Sequence, residues 1–396
     1  MPFHSLLSKI RNRYIGHKNT PSAAMTLHYD RQPRFTPRQF DKLADEGYRK
    51  NVIAYRAISL VSRNAAAVPF VVYEGTGKFR RRLDHHPVRD LLDQPNPMQG
   101  GSAFFESLYA FYLISGNSYI ESIAPGMASP RELWVLRPDR MRIIPARDGT
   151  VETYRYAVDG NVIDYNTDPV TGQADILHIK SFHPLDDWYG MSPLEAAAFS
   201  IDQHNDAAKW NASLLQSSGR PSGALVFRPS DPSASDTLTD EQRKVLKAEL
   251  KEYYAGSTNA GRPMVLEGGL DWKEMSLSPK DMDWLAGKDV SAREIALALH
   301  VPPQLIGIEG SMTFANFEQA RLALYDDAVL PLVGLVRDEL NAWLCPKFGT
   351  DISIDFDLDR IEALSPRREK TWARISAASF LTENEKRAAL GFSPKE

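Results

Sequence analysis

Apolar residues fall into blocks of helical and of strand spacing, and the order of those blocks organises the chain. Residues 36–67 carry Ile53, Ala57, Leu60, Val61 and Asn64 near three- and four-residue spacing, which predicts a helix ended by Pro69. The run PFVVYEGTGKFRRRL predicts two short strands around a Gly-rich turn, and HPVRDLLD a short helix. Ser102 is placed to cap a helix bearing Phe104, Phe105, Leu108, Phe111 and Tyr112, with Gly116 as its stop. From there to about residue 180 the spacing changes. SYIESI, ELWVL, MRIIPA, TYRYAV, NVIDY and DILHIK are short, β-branched or aromatic, and separated by turn residues. The first 190 residues therefore predict a mixed α+β unit.

A long helix comes next. Ser192 fits its N-cap, Pro193 its first helical position, and Glu195 completes a capping box. Leu194, Ala198, Ile201, Asn205, Ala208, Ala212 and Leu215 follow at helical spacing, and Gly219 is the stop. At 1.5 Å per residue the helix spans roughly 40 Å. Its apolar stripe is narrow, and the other face carries Asp202, Gln203, Asp206, Lys209 and Ser213. Such a helix makes sense beside copies of itself or a second long helix, although the core of a monomer is the plainer alternative.

Residues 220–278 predict a small α/β insertion. GALVFR, PMVLE and LDWKEMSLS are its strands, Gly268-Gly269 joins the last two, and Thr239 with Gln242 caps its helix. Ser278-Pro279 then opens a helix running to about His300, where Val301-Pro302-Pro303 stops it. A loop with Gly307 and Gly310 leads to Thr313, which opens a third long helix bent near 327–331 by Pro331. The strand ISIDFDL and a charged helical tail with a break at Leu381-Thr382 complete the chain.

Composition and charge narrow the function. Hydrophobic residues make up 43% of the 396 and charged residues 25%, enough for sizeable cores and two or three folding units. The formal net charge of −4 gives no support for tight nucleic-acid binding, though it suits a wall that DNA slides past. The one cysteine, Cys345, excludes an internal disulfide and a multi-Cys zinc site, and reads as a small core hydrophobe. No apolar stretch predicts a membrane span. The basic start, residues 1–35, is no secretory signal and reads as a mobile arm, with a short surface or partner-binding helix as the alternative.

Catalytic candidates are scarce. Gly75-Thr76-Gly77-Lys78 lacks the spacing of a phosphate loop and sits between two strands, so a hairpin turn is its plainer reading. His85, His86, His178 and His183 show no metal-ligand spacing. The pairs Asp186-Asp187 and Asp326-Asp327 point apart if helical, which marks a solvated edge. No nucleophile elbow is present. Neither a catalytic residue, a metal nor a cofactor is expected. A nucleotide-binding enzyme built around Gly75–Lys78 remains the alternative of a different class.

The order of parts resembles the phage portal family, in particular the Hong Kong 97 type of long-tailed phages. YGMSPLEAA (189–197) is similar to that family's helix start, and GRPSGAL (219–225) with AGRPMVLEGGL (260–270) to the ends of its insertion. SAREIALALHVPPQLIG (291–307) and NFEQ (316–319) resemble its returning helix, loop and next helix.

The resemblance implies an α+β portal fold in a dodecameric ring. Residues 36–190 with 346–364 would be the wing, 191–219 and 279–300 the stem helices, and 220–278 the clip. Residues 314–345 would be the kinked helix and 365–396 a short crown. Residues 301–313 would be the tunnel loop, with Ile306, Gly307, Ile308, Glu309, Gly310, Ser311, Met312 and Thr313 against DNA by shape. A plain connector packed on the stem is the other reading of that loop. The ring would sit at one virion vertex after assembly in the bacterial cytoplasm. It would conduct double-stranded DNA in packaging and ejection, and meet a terminase large subunit, the major capsid protein and a head–tail adaptor, with no membrane partner. A different head–tail connector is the third reading. A lytic phage, a prophage and a gene transfer agent are all compatible sources.

Overall fold

The computed structural model of the chain describes residues 39–75, 80–126, 129–216, 223–227, 239–254, 270–274, 284–308, 314–390 and 395. The arm at 1–35, Lys78, Gly219, PMVLE, Gly268-Gly269, Ser278, Pro279 and Glu309–Thr313 lie outside them.

The expected helix over 36–67 is two helices. α1 (Phe40–Lys42) continues as a π-helical stretch, Leu43–Arg49, and α2 is Val52–Ala66. Asn51 divides them because it is extended and its Oδ1 accepts the amides of Ile53 and Ala54 at 3.0 and 3.1 Å. That satisfies two of the amides a helix start leaves unpaired. α2 buries Ala54, Ala57, Ile58, Val61 and Ala65, a stripe at helical spacing.

β1 (Phe70–Glu74) and β2 (Arg81–Leu83) form the expected hairpin, and α3 is Pro87–Asp93. α4 (Gly101–Ser115) is capped by Gly100 rather than by Ser102. A Cβ on Gly101 would lie 2.4 Å from the Leu92 carbonyl oxygen, so the helix begins in glycine where it abuts α3. α4 ends at Gly116, in the left-handed conformation at φ 72°.

The six predicted strands follow as β3 (Asn117–Ile123), β4 (Glu132–Leu136), β5 (Met141–Pro145), β6 (Val151–Val158), β7 (Asn161–Asn166) and β8 (Ile176–Lys180). They pair as two antiparallel sheets, β4-β3-β8 and β5-β6-β7.

The long helix after Ser192 is broken. α5 is Pro193–Ala196, Ala197 leaves the helical region, and α6 is Ala198–Gln216. Ser192 does cap it, but Glu195 completes no box. The Ser192 hydroxyl donates to the Ile114 carbonyl at 2.6 Å, which leaves its lone pair for the nearer Leu194 amide at 3.0 Å.

In the insertion, β9 (Gly223–Phe227), α7 (Asp240–Tyr254) and β10 (Leu270–Glu274) are described, with β9 and β10 antiparallel. Thr239 and Gln242 form the expected reciprocal cap on α7, at 3.0 and 3.3 Å. α8 (Trp284–Ala298) returns alongside α6.

α9 (Phe314–Leu324), a π-helical turn at Tyr325–Val329 and α10 (Leu330–Trp343) follow one another without a break, and the irregular turn overlaps the 327–331 stretch where the sequence predicts a bend. The wide turn lies just ahead of Pro331, whose ring would otherwise meet the preceding carbonyls. β11 (Ile352–Phe356) adds to the free side of β1. α11 (Ser365–Ala377) and α12 (Glu383–Ala389) form the tail, broken before Thr382, which makes a capping box with Glu385.

One apolar cluster joins most of these parts. Ile58 and Val61 of α2, Phe104 and Leu108 of α4, Leu194, Ile201, Ile295 and Leu299, and Val333 and Val336 of α10 all belong to it. Cys345 is buried there, its thiol donates to Asn341 at 3.4 Å, and burial pushes its pKa up to about 11.

Candidate functional site

The joint between the α+β unit and α5 rests on two glycines and one asparagine. Gly190 passes so close to Gly116 that a Cβ on it would lie 2.1 Å from the Gly116 carbonyl oxygen. Asn117, at the start of β3, spans the gap. Its Oδ1 accepts the Gly190 amide at 2.7 Å and His178 Nε2–H at 2.9 Å, and its amide donates to the carbonyls of Ser115 and Gly190. Ser181 donates to the Met191 carbonyl at 2.6 Å.

His178 stacks on Tyr119 with ring centroids 4.4 Å apart. Burial, with a smaller push from Lys180, lowers its pKa to about 3, so it is neutral and its Nε2 carries the proton that Asn117 receives. It is a structural histidine.

A second polar joint ties α6 to α2. Asn51 donates to Asn205 Oδ1 at 3.0 Å and meets His204 Nδ1 at 3.2 Å, while Asn205 donates to the Glu46 carbonyl at 2.9 Å. All three side chains are buried. The Asn205 that sequence spacing assigns to an apolar stripe is thus a satisfied buried amide, which fixes the helix in one rotation.

Beyond Ala207 the predicted stripe emerges from the chain: Ala208 and Ala212 are exposed. α6 and α8 hold each other through Ser200 on Glu294 at 2.6 Å and Ser291 on Gln203 at 3.3 Å. Their exposed faces hold Lys209–Asp206 at 3.1 Å and Arg293–Asp289 at 3.1 Å as pairs within one helix. Phe199, Val290 and Leu297 stand 50%, 53% and 75% exposed on the same two helices. A helix pair carrying paired charges and partly exposed apolar side chains fits a neighbour of its own kind.

The loop after α8 turns back on that helix. A short 3₁₀ turn covers Pro303–Ile306, Gly307 is left-handed at φ 83°, and the Ile308 amide donates to the Pro303 carbonyl at 3.2 Å. Ile308 is only 5% exposed and packs on Ala292 and Ala296 of α8, with Ile306 and Ile53 beside it. Ile306 and Ile308 therefore anchor the root of the loop, while Gly307 is exposed. Two apolar β-branched residues in a short loop are the signal for such an anchor.

Several of the other sequence candidates have structural partners. Gly75 sits at φ 86° between the antiparallel β1 and β2, the setting of a hairpin turn rather than of a phosphate loop before a helix. His86 caps α3, His183 accepts the Leu185 amide, and Asp186 accepts the amides of Trp188 and Tyr189. Asp326 pairs with Arg367 at 2.9 Å. No helix among the described residues is long and apolar enough to cross a membrane.

The family model described as phage portal protein matches residues 53–391. The portal protein of Enterobacteria phage HK97 is 24% identical over 314 residues, 76% of this chain and 69% of that protein. A protein of Rickettsia felis is 44% identical over 354 residues, 89% of either chain. Among solved structures, a chain from the neck of a native gene transfer agent particle, computed with C12 symmetry, is 42% identical with a TM-score of 0.69. That match covers 92% of this chain and 96% of the other.

Proposed function

This chain belongs to the phage portal protein family, and from that premise we propose that it is the subunit of a ring at one vertex of a phage-like particle, the channel through which double-stranded DNA is packaged and ejected. The observation that carries this reading is the family match over 53–391, which runs from α2 to beyond α12 and includes both helices of the stem.

Twelve copies form the ring, as in the twelvefold particle neck that this chain is similar to. Residues 36–190 with 346–364 act as the wing, 191–219 and 279–300 as the stem, and 220–278 as the clip. Residues 314–345 are the kinked helix and 365–396 the crown. The clip is the docking site for a terminase large subunit and later for a head–tail adaptor, and the ring also meets the major capsid protein. The ring is assembled in the bacterial cytoplasm and ends in the virion.

The chain's own residues suit a passage rather than a grip. A channel that bound every phosphate would have to break those contacts at each step. Lys209 and Arg293 of the stem are paired with carboxylates on their own helices, so they add little pull on DNA. The loop over 301–313 meets DNA by shape. Ile306 and Ile308 hold its root against α8.

Native mass spectrometry of the full chain, with negative-stain images of the same sample, tests the reading. Closed rings of about twelve copies with a central hole are expected for a cyclic heterologous interface. A monomer that persists across salt and protein concentration would overturn it.

A further inference from the structure

A cleft of about 960 Å³ opens between α9 and α11. Arg321 reaches it from α9, and Arg367, Lys370 and Arg374 reach it from α11 at three- and four-residue spacing, so the last three share one helix face. Arg367 is held by Asp326 at 2.9 Å. Arg321, Lys370 and Arg374 make no ion pair among the described residues. This contrasts with the stem, where Lys209 and Arg293 have carboxylates on their own helices.

Glu318 and Glu362 also line the cleft, so its cations outnumber its carboxylates only narrowly. A deep anion socket would bury its cations and saturate them with hydrogen bonds. Here Arg321, Lys370 and Arg374 are exposed, on two elements across an open cleft. That arrangement suits an extended string of phosphates, which can meet several separated cations and leave each of them cheaply. Arg321 lies about 10 Å along α9 from Phe314, where the helix leaves the loop.

We propose that this cleft takes the phosphate backbone of double-stranded DNA, as a weak, salt-sensitive retention site on each subunit. The assignment rests on the portal reading. The narrow excess of positive charge keeps each contact weak, so DNA passes under force and is held at rest. Repetition around a ring makes the weak contacts add.

The test uses the full chain as assembled rings and a labelled duplex of about 40 base pairs, titrated at several salt concentrations near 0.1 M. The double substitution Lys370→Ala and Arg374→Ala should weaken binding about tenfold. It should also make the salt dependence shallower, by about 0.9 in log–log slope for each phosphate that is no longer neutralised. The pair Lys370→Arg and Arg374→Lys should restore both. Inorganic phosphate and poly-glutamate are the other probes. Unchanged affinity and slope in imaged, intact variant rings would overturn the cleft while leaving the portal reading in place. Rings that take poly-glutamate but not duplex would replace DNA by an acidic polypeptide as the occupant. Absence of rings from the unsubstituted chain would remove the portal reading and this assignment with it.

Discussion

Asn117 and Gly190 lie 73 positions apart, yet four polar groups and no side chain on Gly190 bring them together. A Cβ at 190 would meet backbone atoms of Gly116 and Ser181, which cannot rotate away. Gly190→Ala should therefore cost about 3 kcal/mol, at the severe end for overpacking. Urea unfolding of the purified chain measures it, and a loss under about 0.5 kcal/mol would mean that the joint relaxes freely. His178 makes the same region sensitive to acid. Its pKa is lowered to about 3 in the fold, so between the ordinary value of 6.5 and 3 only the unfolded chain is protonated. Stability is then complete above pH 6.5 and falls as pH drops through that window, by about 2 kcal/mol at pH 5. His204, lowered by burial and by Lys288, acts in the same direction. His178→Gln keeps a donor for Asn117 and removes the titration. Its urea midpoint should shift less between pH 7 and pH 5 than that of the unsubstituted chain, and an equal shift would clear His178.

Helices departed from expectation where a contact outside the helix decided their ends. Periodicity reads α1 and α2 as one segment, but Asn51 gives its side chain to the next turn and to α6. Ser102 has the right chemistry for a cap, yet the packing of Gly101 on the Leu92 carbonyl starts the helix earlier. Strands fared better, since β3 to β8 match their predicted runs within two residues at each end, and β-branched alternation needs little tertiary help. The loop root is the element most open to test. Ile308→Ala removes a buried loop side chain that packs on α8 and should cost about 3 kcal/mol, with DNA retention lost before ring assembly. Thermal unfolding and a packaging assay on the same variant measure the two effects. Retention that survives the loss of stability would detach the anchor from function.

A ring needs two different faces on each subunit, and α8 offers apolar side chains that a single chain leaves exposed. Leu297 is 75% exposed and lies two helical turns from Val290 on α8. Leu297→Asp should leave the folded monomer within about 0.5 kcal/mol of its original stability but abolish closed rings. Size-exclusion chromatography with light scattering reads the outcome, and intact rings would place the interface elsewhere. The order of the described strands and helices, the helical irregularity ahead of Pro331, the reciprocal cap at Thr239, the break at Thr382 and the burial of Cys345 were legible in the sequence. Spacing, β-branching and local capping act over a few residues, so the chain carries them on its face. The Gly116–Gly190 approach, the Asn51–His204–Asn205 knot, the inward turn of Ile308 and the basic cleft between α9 and α11 were not legible. Each joins groups far apart in the chain, and only the folded arrangement sets which backbone comes close, which amide is satisfied and which cation is left exposed without an ion pair.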